Sequence, residues 1–449
     1  MDITLYWLTQ DLRLDDNPAL ISAARSDVLL CVHCVDSRWF HPHRYHVSSM
    51  GPHRWQFLQQ SLDELENALA ARNQRLLREY GVPEQVLAQL VRKHHVTRVV
   101  CSRQVGSDEL AVLTYLRGLF PALKIEQYDS NTLFGRDQLP PSLDFLAEDF
   151  APFQRVASQQ LPLAPIQAPD SLPPPALQLV KPRREPPEAP PPPPITPLFH
   201  GGEHAAQRHL NAWLARSGTG RRHASVSGSS TPPTDSGSTL SAQNAQPTFS
   251  PWLSRGCLSA RRLLTKVQSE APHSSTSTID DVYQGLLQRE YRYWLALYMG
   301  KQLFRARGLA EKAPLAGSVH PERYQKWCHG TTPWPLINAC MRQLRETGYL
   351  SPLARQIVAD CFVHQLDLDW RYGAAWFEHL LVDYDVANNW THWQDIARVG
   401  TANRPQQPFD IDKTSRRYDA TGEYRRHWAP DSAEGPLDSV DAADWPITR

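Results

Sequence analysis

Through the first 130 residues, short β-branched and aliphatic runs alternate with stretches of helical period. Residues 3–8, 28–35, 96–102 and 123–128 are compact apolar runs, the pattern of strands covered on both faces. Between them, residues 53–72, 83–94 and 108–119 carry apolar side chains at three-to-four spacing, as amphipathic helices do. Strands separated by helices of this length pair in parallel, because each crossover returns the chain to the same end of the sheet. The expectation for residues 1–150 is therefore a doubly wound parallel-sheet α/β domain. Beyond residue 250 the period changes. Residues 259–268, 279–305, 334–347, 353–366 and 372–381 repeat a helical pattern rich in aromatics, with few convincing strands. They predict an all-α C-terminal domain large enough to enclose a cofactor.

Composition supplies the boundaries. Residues 161–197 are dense in proline and end in a run from Pro190 to Pro194, which favours extended chain and forbids helix. Residues 151–200 are accordingly expected to form an interdomain linker, with the helical domain over 201–430 and a tail over 431–449. Residues 217–247 are rich in Ser, Thr, Gly, Gln and Pro with little to bury, and are expected to form a mobile low-complexity loop. Forty-seven basic and 47 acidic residues balance, which excludes a basic surface over the whole molecule but leaves room for a local patch. Neither a leader pattern at the start nor an apolar run of membrane-spanning length is present, so a cytoplasmic monomer away from membranes is expected. Seven scattered cysteines read as reduced, buried thiols. Cys31 and Cys34 form a CxxC, but inside an apparent strand and with no second pair for zinc.

Local chemistry read without context is ambiguous. There is no GxGxxG after the first strand and no P-loop. The turn at residues 9–18 reads as a polar turn leading to an Asp or Asn cap. Asp383 and Asp385 suggest either a divalent-metal site or a solvated helix end, with the solvated end as the default. Trp370 and Trp393 are two of fourteen tryptophans, which ordinarily pack in cores. His41, His43 and His46 fit an exposed loop better than a metal cluster, since no acidic or cysteine partner lies at ligand spacing. Arg255, Arg261, Arg262, Arg289 and Arg292 could face DNA, bind phosphates or form a solvated helix face, the last being the first choice for Arg261 and Arg262.

Five segments in order carry a resemblance. Residues 9–20 (TQDLRLDDNPAL), 249–259 (FSPWLSRGCLS), 327–347, 368–385 (LDWRYGAAWFEHLLVDYD) and 418–428 (YDATGEYRRHW) together resemble the photolyase/cryptochrome family, and the last two its DASH branch. The resemblance implies an N-terminal antenna domain and a helical domain holding FAD. It places Thr248, Phe249 and Ser250 in the loop that contacts the FAD phosphates, with Arg289 among the cofactor-binding residues. It further implies that Asp383 and Asp385 lie beside the flavin, that Arg355 pairs with the first of them, and that Asn389 faces flavin N5. Trp393 matches the flavin-proximal electron donor and Trp370 the middle one. The distal donor position falls on Gly317, leaving Tyr324 or Trp327 as substitutes. A folate antenna such as 5,10-methenyltetrahydrofolate, and DNA as a partner, single-stranded rather than duplex, are implied by the family alone.

The positions that grip a pyrimidine dimer in light-driven repair enzymes depart from the pattern. The glutamate and tryptophan positions fall on Gly285 and Gln288, the bridging asparagine on Pro352, and an aromatic on Asp395, while Gln356 is a DASH-like choice. Losing the carboxylate, the stacking ring and the amide removes contacts worth about 1–3 kcal/mol each. On the cofactor side, Gln246 and Pro247 stand where hydroxyl residues would bind phosphate, and Val282 replaces an aromatic. The expectation is an FAD-binding, blue-light-responsive photoreceptor with little or no repair. The alternatives are a cyclobutane-dimer photolyase on single-stranded DNA, and a partner-binding descendant that has lost FAD.

Overall fold

The computed structural model describes residues 1–176, 186–215, 240–241, 248–270, 276–310, 320–401 and 409–432. Its strands are β1 Ile3–Leu8, β2 Val28–Asp36, β3 Leu76–Gly81, β4 Arg98–Ser102 and β5 Lys124–Tyr128. They form one five-stranded parallel sheet in the order β3-β2-β1-β4-β5. The first strand is central and the chain builds outward first on one side and then on the other, as the doubly wound expectation requires. β2 is buried at all nine positions, which is why it reads as an unbroken apolar run. The strand absent from the sequence reading is β3 (LLREYG). It lies at the sheet edge, only its first two positions are buried, and Arg78 within it pairs with Asp63 and Glu66 at 2.7 Å each.

The helices expected in this half appear as Pro52–Ala70, Pro83–His94 and Ser107–Leu119. In the other half they appear as Ala260–Glu270, Thr276–Met299, Pro335–Thr347, Pro352–Asp360 and Trp370–Leu380. Two of these are shorter than their periods suggested. The helix through Met299 tightens into a 3-10 turn at Gly300, and the helix through Asp360 widens into a π turn over Cys361–Gln365. Val386–Ile396 is a helix with no sequence forecast, because ten of its residues are buried, polar ones such as Asn389, Thr391 and Gln394 among them, so apolar positions do not mark out a buried face.

One face of the sheet, with Leu5, Leu30 and Val99, packs on Leu87, Val91 and Leu113 of the outer helices. The opposite face, with Tyr6, Cys31 and Val100, belongs to a core that continues through the helical half. The loop after β1 is the strut between them. Arg13 is buried and donates to the carbonyls of Gly256 (2.9 Å), Asp16 (2.7 Å), Ser130 (2.5 Å) and Asp15 (2.9 Å). Gly256 holds a positive φ of 65°, and a Cβ there would sit 1.9 Å from the Gln10 carbonyl oxygen, so only glycine lets the two backbones meet. The polar turn thus does more than cap a helix.

The proline-rich stretch is strapped to the sheet domain. Asp16 and Ile166 exchange hydrogen bonds of 2.9 and 3.0 Å, and Leu29 N–H donates to the Pro174 carbonyl at 3.1 Å. The low-complexity segment lies outside the described residues apart from Leu240 and Ser241, as does the tail after residue 432. All seven cysteines are free and buried, and burial pushes the Cys31 and Cys34 thiols up, away from redox or ligand chemistry. Among the described residues no helix is long and apolar enough to cross a membrane. Nor do they contain a group of three His, Cys, Asp or Glu side chains able to hold a metal ion.

Candidate functional site

The buried helix Val386–Ile396 and the turn before it gather one cluster. Asp385 caps the helix, accepting 2.9 Å bonds from the Asn388 N–H and from Asn388 Nδ2. Two residues earlier, the Asp383 carboxylate is completely enclosed. Arg355 Nη2 reaches its two oxygens at 2.9 and 2.8 Å, and Ser250 Oγ donates to it at 2.5 Å. Thr248 Oγ1 lies 2.9 Å from Ser250 Oγ. Arg355 is itself held by Nε on the Leu350 carbonyl at 2.9 Å and lies over the Tyr349 ring at 5.3 Å. The default reading of Asp383 and Asp385 as a solvated helix end is therefore corrected: both are buried, one as half of an ion pair and the other as a cap.

Asn389 Nδ2 donates to the Ala374 carbonyl at 3.0 Å, which fixes the orientation of its amide. One turn on, Trp393 is fully enclosed by Phe377 (5.1 Å between centroids), Phe362 (5.5 Å) and Trp327 (6.3 Å). Its ring rests on Gly373, where a Cβ would come within 2.2 Å of the indole. Its Nε1 is buried with no partner among the described residues. Trp370 donates from Nε1 to the Ala306 carbonyl at 3.0 Å. Phe249 is packed between Trp213 and His209, so a contribution to the Thr248–Ser250 turn falls to its backbone.

The solvated helix face expected of Arg261 and Arg262 is not what the structure shows. Arg261 is buried and donates to the carbonyls of Thr132 (2.8 Å) and Asp129, close to Asp16. Arg262 pairs with Asp15 through two 2.6 Å bonds. Neither forms a solvated face. Arg289 spends two donors on the carbonyls of Asn131 (2.6 Å) and Leu253 (3.2 Å). Of the altered lesion positions, Gly285 and Gln288 are half-buried on Thr276–Met299, while Pro352 and Gln356 lie half-buried one turn apart on Pro352–Asp360. Asp395 is ion-paired with Arg292 at 3.2 Å. Val282 is fully buried. Gln246, Pro247 and Gly317 lie outside the described residues.

The donor set suits a flavin dinucleotide. Two buried hydroxyls stand at one end, a buried and internally compensated ion pair next to them, and an oriented amide and a rigid unpartnered indole follow on a single helix. Arg355, Asp383, Asp385, Asn389, Thr248 and Ser250 would hold FAD, which supplies light absorption and one-electron chemistry when bound.

A second feature has no counterpart in the sequence reading. Between the halves, at the C-terminal ends of β1 and β2 and the turn after β4, beside the point between β1 and β4 where the winding reverses, lies a cleft of about 510 Å3. Arg255 lines it, buried, with Nε and Nη2 lacking a partner among the described residues, and burial together with nearby Arg54 pushes its guanidinium down to about 9. Glu109 across the cleft is pushed up to about 7 by desolvation, and His33 down to about 4 for the same reason. Its walls include Trp39, Tyr45 and Trp390. The signal available in the sequence was the switch-point rule for doubly wound sheets, since no motif marks these residues.

Comparison with known proteins agrees with the fold and with an FAD-binding family. Residues 4–174 match the family model described as DNA photolyase, and residues 282–447 the one described as the FAD binding domain of DNA photolyase. A cryptochrome DASH of Idiomarina loihiensis is 38% identical over 99% of this chain and 96% of its own length. Another, from Vibrio parahaemolyticus, is 36% identical over 99% and 97%. The crystal structure of a Synechocystis cryptochrome superposes with a TM-score of 0.86 at 30% identity, covering 98% of this chain and 91% of that one. A class III photolyase from Agrobacterium tumefaciens, at 22% identity and a TM-score of 0.74, shares the fold.

Proposed function

Because this chain belongs to the photolyase/cryptochrome family and to its DASH branch, we propose that it is a blue-light-responsive flavoprotein in which electrons pass from tryptophan to photoexcited FAD, with weak or absent lesion repair. The observation that carries this is the single capped helix bearing Asp385, Asn389 and Trp393 beside the buried Arg355–Asp383 pair. Each of its residues has a definite task. The ion pair presents a fixed, nearly neutral dipole at the ring edge, where a low dielectric magnifies its influence on flavin redox behaviour. Asn389 offers a hydrogen-bonding amide that does not force a proton onto its neighbour. Trp393, rigid and dry, gives up an electron with little reorganisation around it.

The purified protein should be yellow, and blue light should bleach its oxidised-flavin absorption. Colourless protein that takes up no added FAD sinks the proposal and leaves the partner-binding reading. Repair of cyclobutane dimers in single-stranded DNA is the second reading, supported by Gln356 and opposed by Gly285, Gln288, Pro352 and Asp395. Illuminating the reduced protein with a dimer-containing single strand decides it: restored pyrimidines at saturating protein would favour repair, and none would remove it. A folate antenna also belongs to the proposal. The interdomain cleft, with aromatic walls and a buried arginine, has chemistry that suits a planar anionic pigment. A cytoplasmic monomer remains the expected setting.

A further inference from the structure

Photoreduction needs more than a proximal donor. The electron must come from a group that stays oxidised long enough not to take it back, and the position where the family's distal tryptophan is expected holds Gly317. Four tryptophans cluster around the flavin-side helix, and what each indole N–H donates to separates them. Trp327 donates to the Val358 carbonyl at 3.1 Å and Trp370 to the Ala306 carbonyl at 3.0 Å, neither of which can take up a proton. Trp393 Nε1 has no partner among the described residues. Trp390 donates at 3.1 Å to the Tyr384 hydroxyl, and Tyr384 and Glu378 line the same cleft as Trp390.

Position agrees with chemistry. The Trp390 ring meets Trp370 edge-on, with centroids 5.7 Å apart and planes at 76°, and its other side lines the interdomain cleft. Arg54 lies 4.4 Å over the Tyr384 ring and donates to the Glu378 backbone carbonyl at 3.0 Å, so the relay sits in a compensated field.

We propose that Trp390 is the terminal electron donor of the chain, and that it passes its indole proton to Tyr384 while Tyr384 passes its own to Glu378. This rests on the proposed function, with photoexcited FAD as the one-electron oxidant. The balance closes. Oxidised Trp370 regains one electron from Trp390, and Trp390 loses that electron and its Nε1 proton. Tyr384 gains one proton and gives one, and Glu378 ends protonated. A soluble thiol-class reductant entering the cleft returns one electron and one proton to Trp390. Deprotonation is what makes the oxidised state last, because a neutral radical in a low-dielectric wall has no Coulomb pull on the returning electron. Desolvation raises the proton affinity of the Glu378 carboxylate, which suits it as the acceptor.

The test uses the FAD-loaded full chain and its Trp390→Phe, Tyr384→Phe and Trp327→Phe variants, with flavin content measured for each. After a blue flash, electron paramagnetic resonance with indole-deuterated tryptophan identifies the radical. After sustained illumination without thiol, peptide mass spectrometry finds which tryptophan carries the oxidation product. The expected result is a neutral radical and an oxidised product at residue 390 in the parent, both lost in Trp390→Phe. In Tyr384→Phe the radical at 390 should be cationic and short-lived. Should Trp390→Phe fail to retain FAD, the Tyr384→Phe result decides alone. A parent-like radical in Trp390→Phe or Tyr384→Phe, or its loss in Trp327→Phe instead, overturns the inference. A parent that shows no flavin photoreduction at all overturns the proposed function.

Discussion

Arg355 and Asp383 set the terms at the residue scale. Truncating Arg355 to alanine leaves a fully enclosed carboxylate without its cation, a change that costs about 3–5 kcal/mol when a buried pair is broken. The Arg355→Ala protein should melt well below the parent and lose FAD on gel filtration. Arg355→Lys, which keeps the charge but not the planar fork, should fall between them. Gly373 makes the opposite kind of prediction. A Cβ there would lie 2.2–2.8 Å from three ring carbons of Trp393, so Gly373→Ala should destabilise by about 1–3 kcal/mol through overpacking. It should also slow photoreduction by displacing the indole, whereas Gly118→Ala, with nothing within 4 Å, should do neither. Asp383, Arg355 and Trp393 could be singled out in the sequence because they stand in long motifs. Trp390 could not, since one of fourteen tryptophans acquires a role only through what its N–H touches and which cavity its ring faces.

The elements show the same division. Strands β1, β2 and β4 were legible because they are covered on both faces and are apolar at almost every position, and β5, an edge strand with no fully buried position, was legible only as the short run that follows the third helix. β3, at the edge, spends Arg78 on Asp63 and Glu66, and those charges hid it. The site helix Val386–Ile396 escaped for the contrary reason, being enclosed on all sides. The π turn at Cys361–Gln365 is invisible to any periodicity argument, yet it belongs to the segment that brings Phe362 against Trp393. Capping carries the element-scale prediction. Asp385→Ala removes the acceptor for the Asn388 N–H and its side-chain amide, and should cost about 1 kcal/mol in chemical denaturation. Asp385→Asn, an equally good cap, should restore most of that stability. If FAD retention also falls in both variants, the carboxylate charge matters to the cofactor separately from the cap.

Across the whole molecule the two halves are tied by buried polar groups, and one of them makes stability depend on pH. Glu290, on Thr276–Met299, accepts the backbone N–H groups of Leu133 (2.8 Å) and Phe134 (3.2 Å) from the sheet half, and Trp294 Nε1 at 2.8 Å. Desolvation pushes its carboxyl up to about 7 from an ordinary 4.5. An acid whose folded pKa is raised binds more protons folded than unfolded between those two values, so its contribution is complete below about 4.5 and is lost as pH rises to about 7. His33 works in the other direction. Burial lowers it from 6.5 to about 4, so its contribution is complete above 6.5 and is lost as pH falls through that window. His53 and His379 are lowered for the same reason. The raw stability profile therefore mixes two opposing slopes below pH 6.5, and the carboxylate term has to be isolated by difference. Urea midpoints of the parent and of Glu290→Gln, measured from about pH 4 to about pH 8, should give a parent-minus-variant difference that shrinks as pH rises and levels off above about 7. A difference that stays constant across that range would mean that Glu290 keeps its charge when folded, and that the tie between the halves is an ionised carboxylate on three N–H donors.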